Sequence, residues 1–316
     1  MNRVFLLLMF ACALLLTSAA AQEPPKTLQE KLGYPRDAKL LIVHADDLGA
    51  THSVNAASIK ALESGGINSA SVMVPCPWFP EIADYAKSHP SADFGLHLTL
   101  TSERIYYRWG PVAPRDKVPS LLDVNGYFHH DWSPETHIDP KEVEIEIRAQ
   151  VARAFAMGVK PTHLDSHQNR LFQTNKELFE VLLHVAHENN LPVLIPRSWF
   201  ADFPYLDKSI GAQDVVIDQV VTIEPGVPAA KWSDFYKNAL QHLQPGVTEF
   251  VIHLAYADSE MKAATRERDT WGAEWRQRDF DFFTSAEFQK LLRDNDIHLI
   301  SWREIGRTMK DPAKRE

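Results

Sequence analysis

The sequence predicts an α/β fold: a distorted TIM-like (β/α) barrel of mostly parallel strands, in a single domain. Three observations carry this reading. Short apolar runs recur along the chain, helical patterns lie between several of them, and four of the runs end in His or Asp. Polar groups delivered to one end of several buried strands are how α/β folds assemble sites.

Met1-Asn2-Arg3 carries one positive charge, residues 4–16 are apolar, and Thr17 to Ala21 are small with an A-x-A pattern. This is the form of a secretory leader cleaved after Ala21, so residues 1–21 are expected to be removed and the protein exported, periplasmic or secreted. Residues 22–37 are polar and proline-bearing and form a lead-in; residues 38–316 form the barrel domain. The leader contains Cys12, so the exported chain keeps only Cys76 and has no internal disulfide. Cys76 closes an apolar run and is expected to be a buried structural thiol. Stability therefore rests on the apolar core that about 295 residues can build. No later segment is long and apolar enough to span a membrane, so no integral membrane anchor is expected after cleavage.

Strands are expected at 40–43, 69–74, 94–98, 162–164, 192–195, 215–217 or 219–223, 249–254 and 297–301. Helical patterns occupy 54–64, stopped by Gly65-Gly66, then 140–157, closed by Gly158, and 176–190. In the second, Val143, Ile147, Val151 and Phe155 recur every four residues. Two segments depart from this rhythm. Residues 102–136 hold Tyr106, Tyr107, Trp109, Tyr127, Phe128 and Trp132 among prolines and glycines. They suit either stacking on sugar rings or a packed cover over the barrel mouth. Residues 266–283, aromatic and charged, are expected to be a loop closing over the same end.

The formal net charge is −9, and removing Arg3 with the leader makes it −10. An acidic balance without clustered Lys and Arg excludes nucleic acid as a partner. The short basic tail from Lys310 is a solvated terminus.

Paired carboxylates at the tip of the first apolar strand, Asp46 and Asp47, are costly unless an ion or a proton transfer uses them. A hydrolytic metal site takes three protein ligands and leaves a position open for water. Asp46 or Asp47, His97, and His163 or His167 supply that set from three strands. Strand alternation places His163, Asp165 and His167 on one face. Asp46 and Asp47 can share a face only if the strand turns there, and Leu48-Gly49 is the expected place for that turn.

His44-Ala45-Asp46-Asp47-Leu48-Gly49, then Asn55 and the run from Ser69 to Phe79, resemble the start of the YdjC-like (ChbG-type) carbohydrate deacetylases. Gly95-Leu96-His97-Leu98-Thr99-Leu100-Thr101 and Thr162-His163-Leu164-Asp165-Ser166-His167 match that family's next motifs, in order, over about residues 38–305. The resemblance implies a distorted barrel binding one divalent ion through Asp47, His97 and His167, with Asp46 as general base. An N-acetylated glycan would lose its acetyl group to activated water. His253 is the candidate acid, an imidazole with an ordinary pKa of about 6.5. Asp165 and His163 would support the ligands. Tyr107, Trp109, Arg170 and Trp271 are the candidates for contacting the sugar. The donor set suits Zn²⁺ first, then Fe²⁺, Co²⁺ or Ni²⁺, and Mg²⁺ less naturally. Many relatives carry another histidine where this chain has Asn169, and a Pro-Gly pair where it has Leu254-Ala255, so a different substrate pocket is expected. A hydrolase of phosphoesters or glycosidic bonds is the alternative within enzymes. A non-catalytic glycan-binding protein is the alternative outside them. Adjacent acids cannot flank a glycosidic bond on their own, however, and ligands for a single ion are visible.

Overall fold

A computed structural model describes residues 25–133, 135–266 and 268–310. The expected leader at 1–21 and the tail beyond 310 lie outside the described residues. Seven strands follow one another as β1 (Lys39–Leu48), β2 (Ser69–Val72), β3 (Phe94–Leu98), β4 (Leu164–Ser166), β5 (Gln219–Val221), β6 (Gly246–Ile252) and β7 (Ile297–Leu299). Every pairing is parallel, in the order β4-β3-β2-β1-β6-β5. The long β1 takes β7 against Lys39–Leu41 and β2 further along, from His44 onward.

The two edges meet through isolated bridges. Leu164 pairs with Val193 and Pro196 with Ile217, so segment 192–197 links β4 to the chain entering β5 and curls the sheet into a distorted barrel. The expected strand at 192–195 is thus reduced to bridges. Its two prolines, Pro192 and Pro196, have no N–H to give to a ladder.

Helices form where the periodicity placed them: His52–Glu63, Pro140–Ala156 and Lys176–Asn189. Thr51, Asp139 and Asn175 cap them by accepting from backbone N–H groups of the first turn. The lead-in contains a short helix, Leu28–Leu32, held by a reciprocal Thr27–Glu30 capping box. Segment 266–283 is not simply a loop, because Ala273–Phe283 is helical. Its apolar residues Trp275, Phe282 and Phe283 are buried, and tertiary packing holds it rather than propensity. One core cluster runs through the sheet and these helices, and it includes Cys76 as a buried free thiol. Among the described residues, no helix is long and apolar enough to cross a membrane.

Candidate metal and active site

The site grows from the end of β1. A period of two puts His44 and Asp46 on the inner face and should turn Asp47 away. It does not, because Asp47 has a left-handed backbone with φ 70°. Between Ala45 and Leu48 the strand takes three steps while β2 takes two, from Ala70 to Val72. This bulge brings the adjacent carboxylates to one site. The turn expected at Leu48-Gly49 therefore occurs at Asp47 itself, and Gly49, with φ 90°, follows it. Gln168, Asn169 and Trp271 also have positive φ and line the same cavity. Disfavoured backbone gathered at one place marks a site that the surrounding fold over-determines.

Asp47, His97 and His167 converge there, all buried. Asp47 Oδ1 lies 3.5 Å from His97 Nε2 and 3.3 Å from His167 Nδ1, and the two nitrogens are 3.3 Å apart. Asp47 Oδ2 accepts from Arg276 Nη2 at 2.5 Å, whereas Oδ1 has no hydrogen-bond partner among the described residues and meets the two imidazole nitrogens only at ion-pair distance. A buried carboxylate oxygen left unpartnered beside two imidazole nitrogens costs energy unless a cation takes all three. The residues fit a divalent ion with a carboxylate and two imidazoles. Each histidine also has a carboxylate on its far nitrogen: Asp165 Oδ1 at 2.8 Å from His97 Nδ1, and Glu103 Oε2 at 2.9 Å from His167 Nε2. That arrangement fixes ring orientation and tautomer.

Burial opposes ionising Asp47, yet Arg276 and His167 outweigh it and hold its carboxyl well below the ordinary range. Burial likewise opposes charging His167, but Glu103 and Asp47 raise it to about 9. Such a histidine must shed a proton to become a ligand.

Asp46 stands beside this trio. Its Oδ1 is 3.2 Å from His44 Nε2 and accepts from Ser71 Oγ at 3.3 Å. Its Oδ2 is 3.8 Å from His97 Nε2 and 3.9 Å from His253 Nε2, beyond hydrogen-bond reach. One oxygen is anchored and the other faces the cavity. His44, Asp165 and His163 also lie within ligand distance of one another. However, both His44 nitrogens are engaged, Nδ1 with Ser69 Oγ and Nε2 with Ser71 Oγ and Asp165 Oδ2. This second group is a packed polar network.

The structure revises several expectations. His163 has no hydrogen bond to His97 or His167 among the described residues; its Nδ1 is 3.0 Å from Thr162 Oγ1 and its ring is stacked on Trp302. Burial, then the charge of His44, keep it neutral. His253 does not keep an ordinary pKa, because burial pushes it down to about 4. A cavity of about 760 Å³ opens over the trio, and Trp271 and His253 line it with Asp46. The volume suits a small-molecule site. Trp109, 4% exposed, is not on its wall; its indole N–H donates to Thr101 O and its ring packs edge-on to His167. Tyr107 donates to Ala50 O, and Arg170 bonds Asp131 and Gln168, so both are held away from the cavity. Segment 102–133 is mainly packed, since Tyr107, Trp109, Phe128 and Trp132 join the core, while Tyr106 and Tyr127 stay exposed.

Sequence reasoning did not single out Glu103, Arg276, His44, Glu249 or Asp279. Strand alternation could have shown His44 and Glu249, which share inner faces with Asp46 and His253. Glu249 is buried beside His44 and takes the Trp302 indole N–H at 3.0 Å; burial raises its carboxyl to about 8. Glu103, Arg276 and Asp279 reach the site from other elements, and no local pattern announces them.

Comparisons with known proteins give the family and the fold. A family model described as YdjC-like protein matches residues 40–294. The chain is 30% identical over 267 residues to a protein of Thermoanaerobacter pseudethanolicus named carbohydrate deacetylase, covering 84% of this chain and 98% of that one. A carbohydrate deacetylase of Thermus thermophilus is 32% identical over 291 residues, covering 88% and 97%. A solved Enterococcus faecalis protein named for cellobiose-phosphate cleavage superposes with a TM-score of 0.71 at 27% identity, covering 85% and 99%. The family match, the aligned lengths and the shared fold lead to one conclusion: the chain belongs to the YdjC-like family.

Proposed function

We propose that this protein is a metal-dependent deacetylase that hydrolyses the acetamide of an N-acetylated sugar. The observation that carries the reading is Asp47 Oδ1, without a hydrogen bond among the described residues, facing His97 Nε2 and His167 Nδ1, with Asp46 beside them. The names of the relatives support the reaction class.

Asp47, His97 and His167 would hold the ion, Zn²⁺ first by donor type. When bound, the ion supplies Lewis acidity, lowering the pKa of water and polarising a carbonyl. The chain supplies the proton transfers. Asp46, anchored through Oδ1, takes the proton of the attacking water on Oδ2. The new C–O bond forms at the acetyl carbon, the C–N bond breaks, and acetate and a free amine result. The nitrogen cannot leave without a proton. His253 is neutral at rest and its Nε2 stands 3.9 Å from Asp46 Oδ2, so the proton taken by Asp46 would reach it through one bridging water and pass from it to the nitrogen. Asp279 Oδ2 accepts from the backbone N–H of His253 at 3.1 Å and keeps that residue in place.

Acetate release from N-acetylglucosamine oligomers, measured after chelation and again after Zn²⁺ addition, tests the reading. Release restored by the metal is expected. Bound metal with no release from any N-acetylated glycan would overturn it. Export belongs to the same proposal and rests on the leader pattern. The mass of the protein recovered from a producing cell should begin at Gln22, and a retained Met1 would sink that part.

A further inference from the structure

Beside the main cavity lies a smaller hollow of about 170 Å³ that shares Glu103, Arg104 and Arg268 with it. Its walls also include Ile105, Tyr106, His130 and Arg266. Among its described lining residues the hollow presents Arg104, Arg266 and Arg268 with the single carboxylate of Glu103, in a chain whose formal charge is −9. That carboxylate is already engaged: Glu103 Oε2 bonds His167, and Oε1 is 3.2 Å from Arg104 Nε and 3.4 Å from Arg268 Nη1. Arg104 is buried, and its Nη1 has no partner among the described residues. Arg266 is exposed. Among the described lining residues guanidinium groups outnumber carboxylates, and such an excess suits an anion.

The rim has a second feature. Tyr106 is 72% exposed and Ile105 53%, whereas Trp109 and Phe128 of the same segment are buried. A broad apolar ring left in solvent at the edge of a polar hollow offers a stacking face.

We propose that this hollow is a subsite for an adjoining, carboxylate-bearing sugar of the glycan, its ring laid on Tyr106 and its carboxylate held by Arg266 with Arg268 alongside. The inference rests on the deacetylase reading and specifies its substrate: an acidic N-acetylated glycan instead of a neutral chitin-type oligomer. Guanidinium suits the role because its planar fork matches a carboxylate with two parallel N–H bonds.

The experiment compares a neutral N-acetylglucosamine tetramer with a tetrasaccharide alternating N-acetylglucosamine and glucuronate. It uses the wild-type protein, Arg266→Gln and Tyr106→Ala, two residues outside the reacting groups. Acetate release should favour the acidic tetramer by about tenfold in kcat/KM, through KM, with the preference shrinking as salt is added. Arg266→Gln should bring the two substrates to within about twofold of each other. Tyr106→Ala should raise KM for both tetramers and leave N-acetylglucosamine itself unchanged. Equal kcat/KM for the two tetramers, or a preference that survives Arg266→Gln, overturns the subsite while leaving the deacetylase reading intact. Calorimetric binding to Asp46→Asn separates the remaining case. Binding of the acidic tetramer that depends on Arg266, without acetate release from the wild type, sustains the subsite and sinks the reaction. No such binding and no release sink both.

Discussion

Glu103 Oε2 stands 2.9 Å from His167 Nε2, on the side of the ring opposite Asp47. Residue 103 lies in the segment after β3 and His167 just past β4, so the contact joins two neighbouring strand ends. It mirrors the Asp165–His97 pair and gives each imidazole of the trio its own carboxylate.

Glu103→Gln should therefore weaken metal binding by about tenfold to a hundredfold while the fold is kept. A competitive chelator titration reads this without relying on activity. An unchanged affinity would mean that Glu103 merely neutralises Arg104 and Arg268.

The two adjacent acids should separate by role. Asp46→Asn spares the trio and should keep the metal, while losing about a hundredfold or more of kcat. His97→Ala should lose metal and activity together. Metal analysis of purified Asp46→Asn decides the matter, because loss of the ion there reverses the assignment of Asp46 and Asp47.

Asp279 makes stability depend on pH. It is buried, accepts from Trp232 Nε1, Tyr236 Oη and the His253 N–H, and burial raises its carboxyl to about 6. Between the ordinary carboxyl value and about 6, the folded protein holds a proton that the unfolded chain has lost. The stabilisation is complete below the unfolded pKa and is lost as pH rises through about 6, on the order of 3 kcal/mol in all. Urea midpoints of wild type and Asp279→Asn, measured at about pH 4 and about pH 7, should show a smaller pH difference in the variant. Equal differences would refute the assignment.

Gly95 and His163 should be coupled. A Cβ on Gly95 would lie 2.4 Å from the His163 ring, so the strand has room for that imidazole only because residue 95 has no side chain. Gly95→Ala should destabilise by about 1–3 kcal/mol, as overpacking does. His163→Ala should relieve most of that cost in the double variant and leave metal binding intact. Additive losses in denaturant unfolding would show that the two do not compete for space.

The sequence by itself determined the parallel α/β architecture and the strand ends from which the site is built. Both are local properties: apolar runs mark buried strands, and alternation places His97, Asp165 and the later histidine on the inner side. Asp47, His97 and His167 lie buried within ligand distance of one another in the fold. The sequence was silent where chemistry depends on partners distant along the chain. Arg276 meets Asp47 across 229 positions, and Glu103 meets His167 across 64. The same holds for the aromatics of segment 102–136. Composition suits them equally to sugar or core, and only packing buried Trp109 and left Tyr106 exposed. The ionisation of His253 was likewise decided by tertiary structure, since desolvation belongs to the folded surroundings and not to the residue. Asp47 combines both cases: its carboxylate is written in the sequence, but the bulge that turns it inward exists only where β1 lies against β2 and Arg276 meets it.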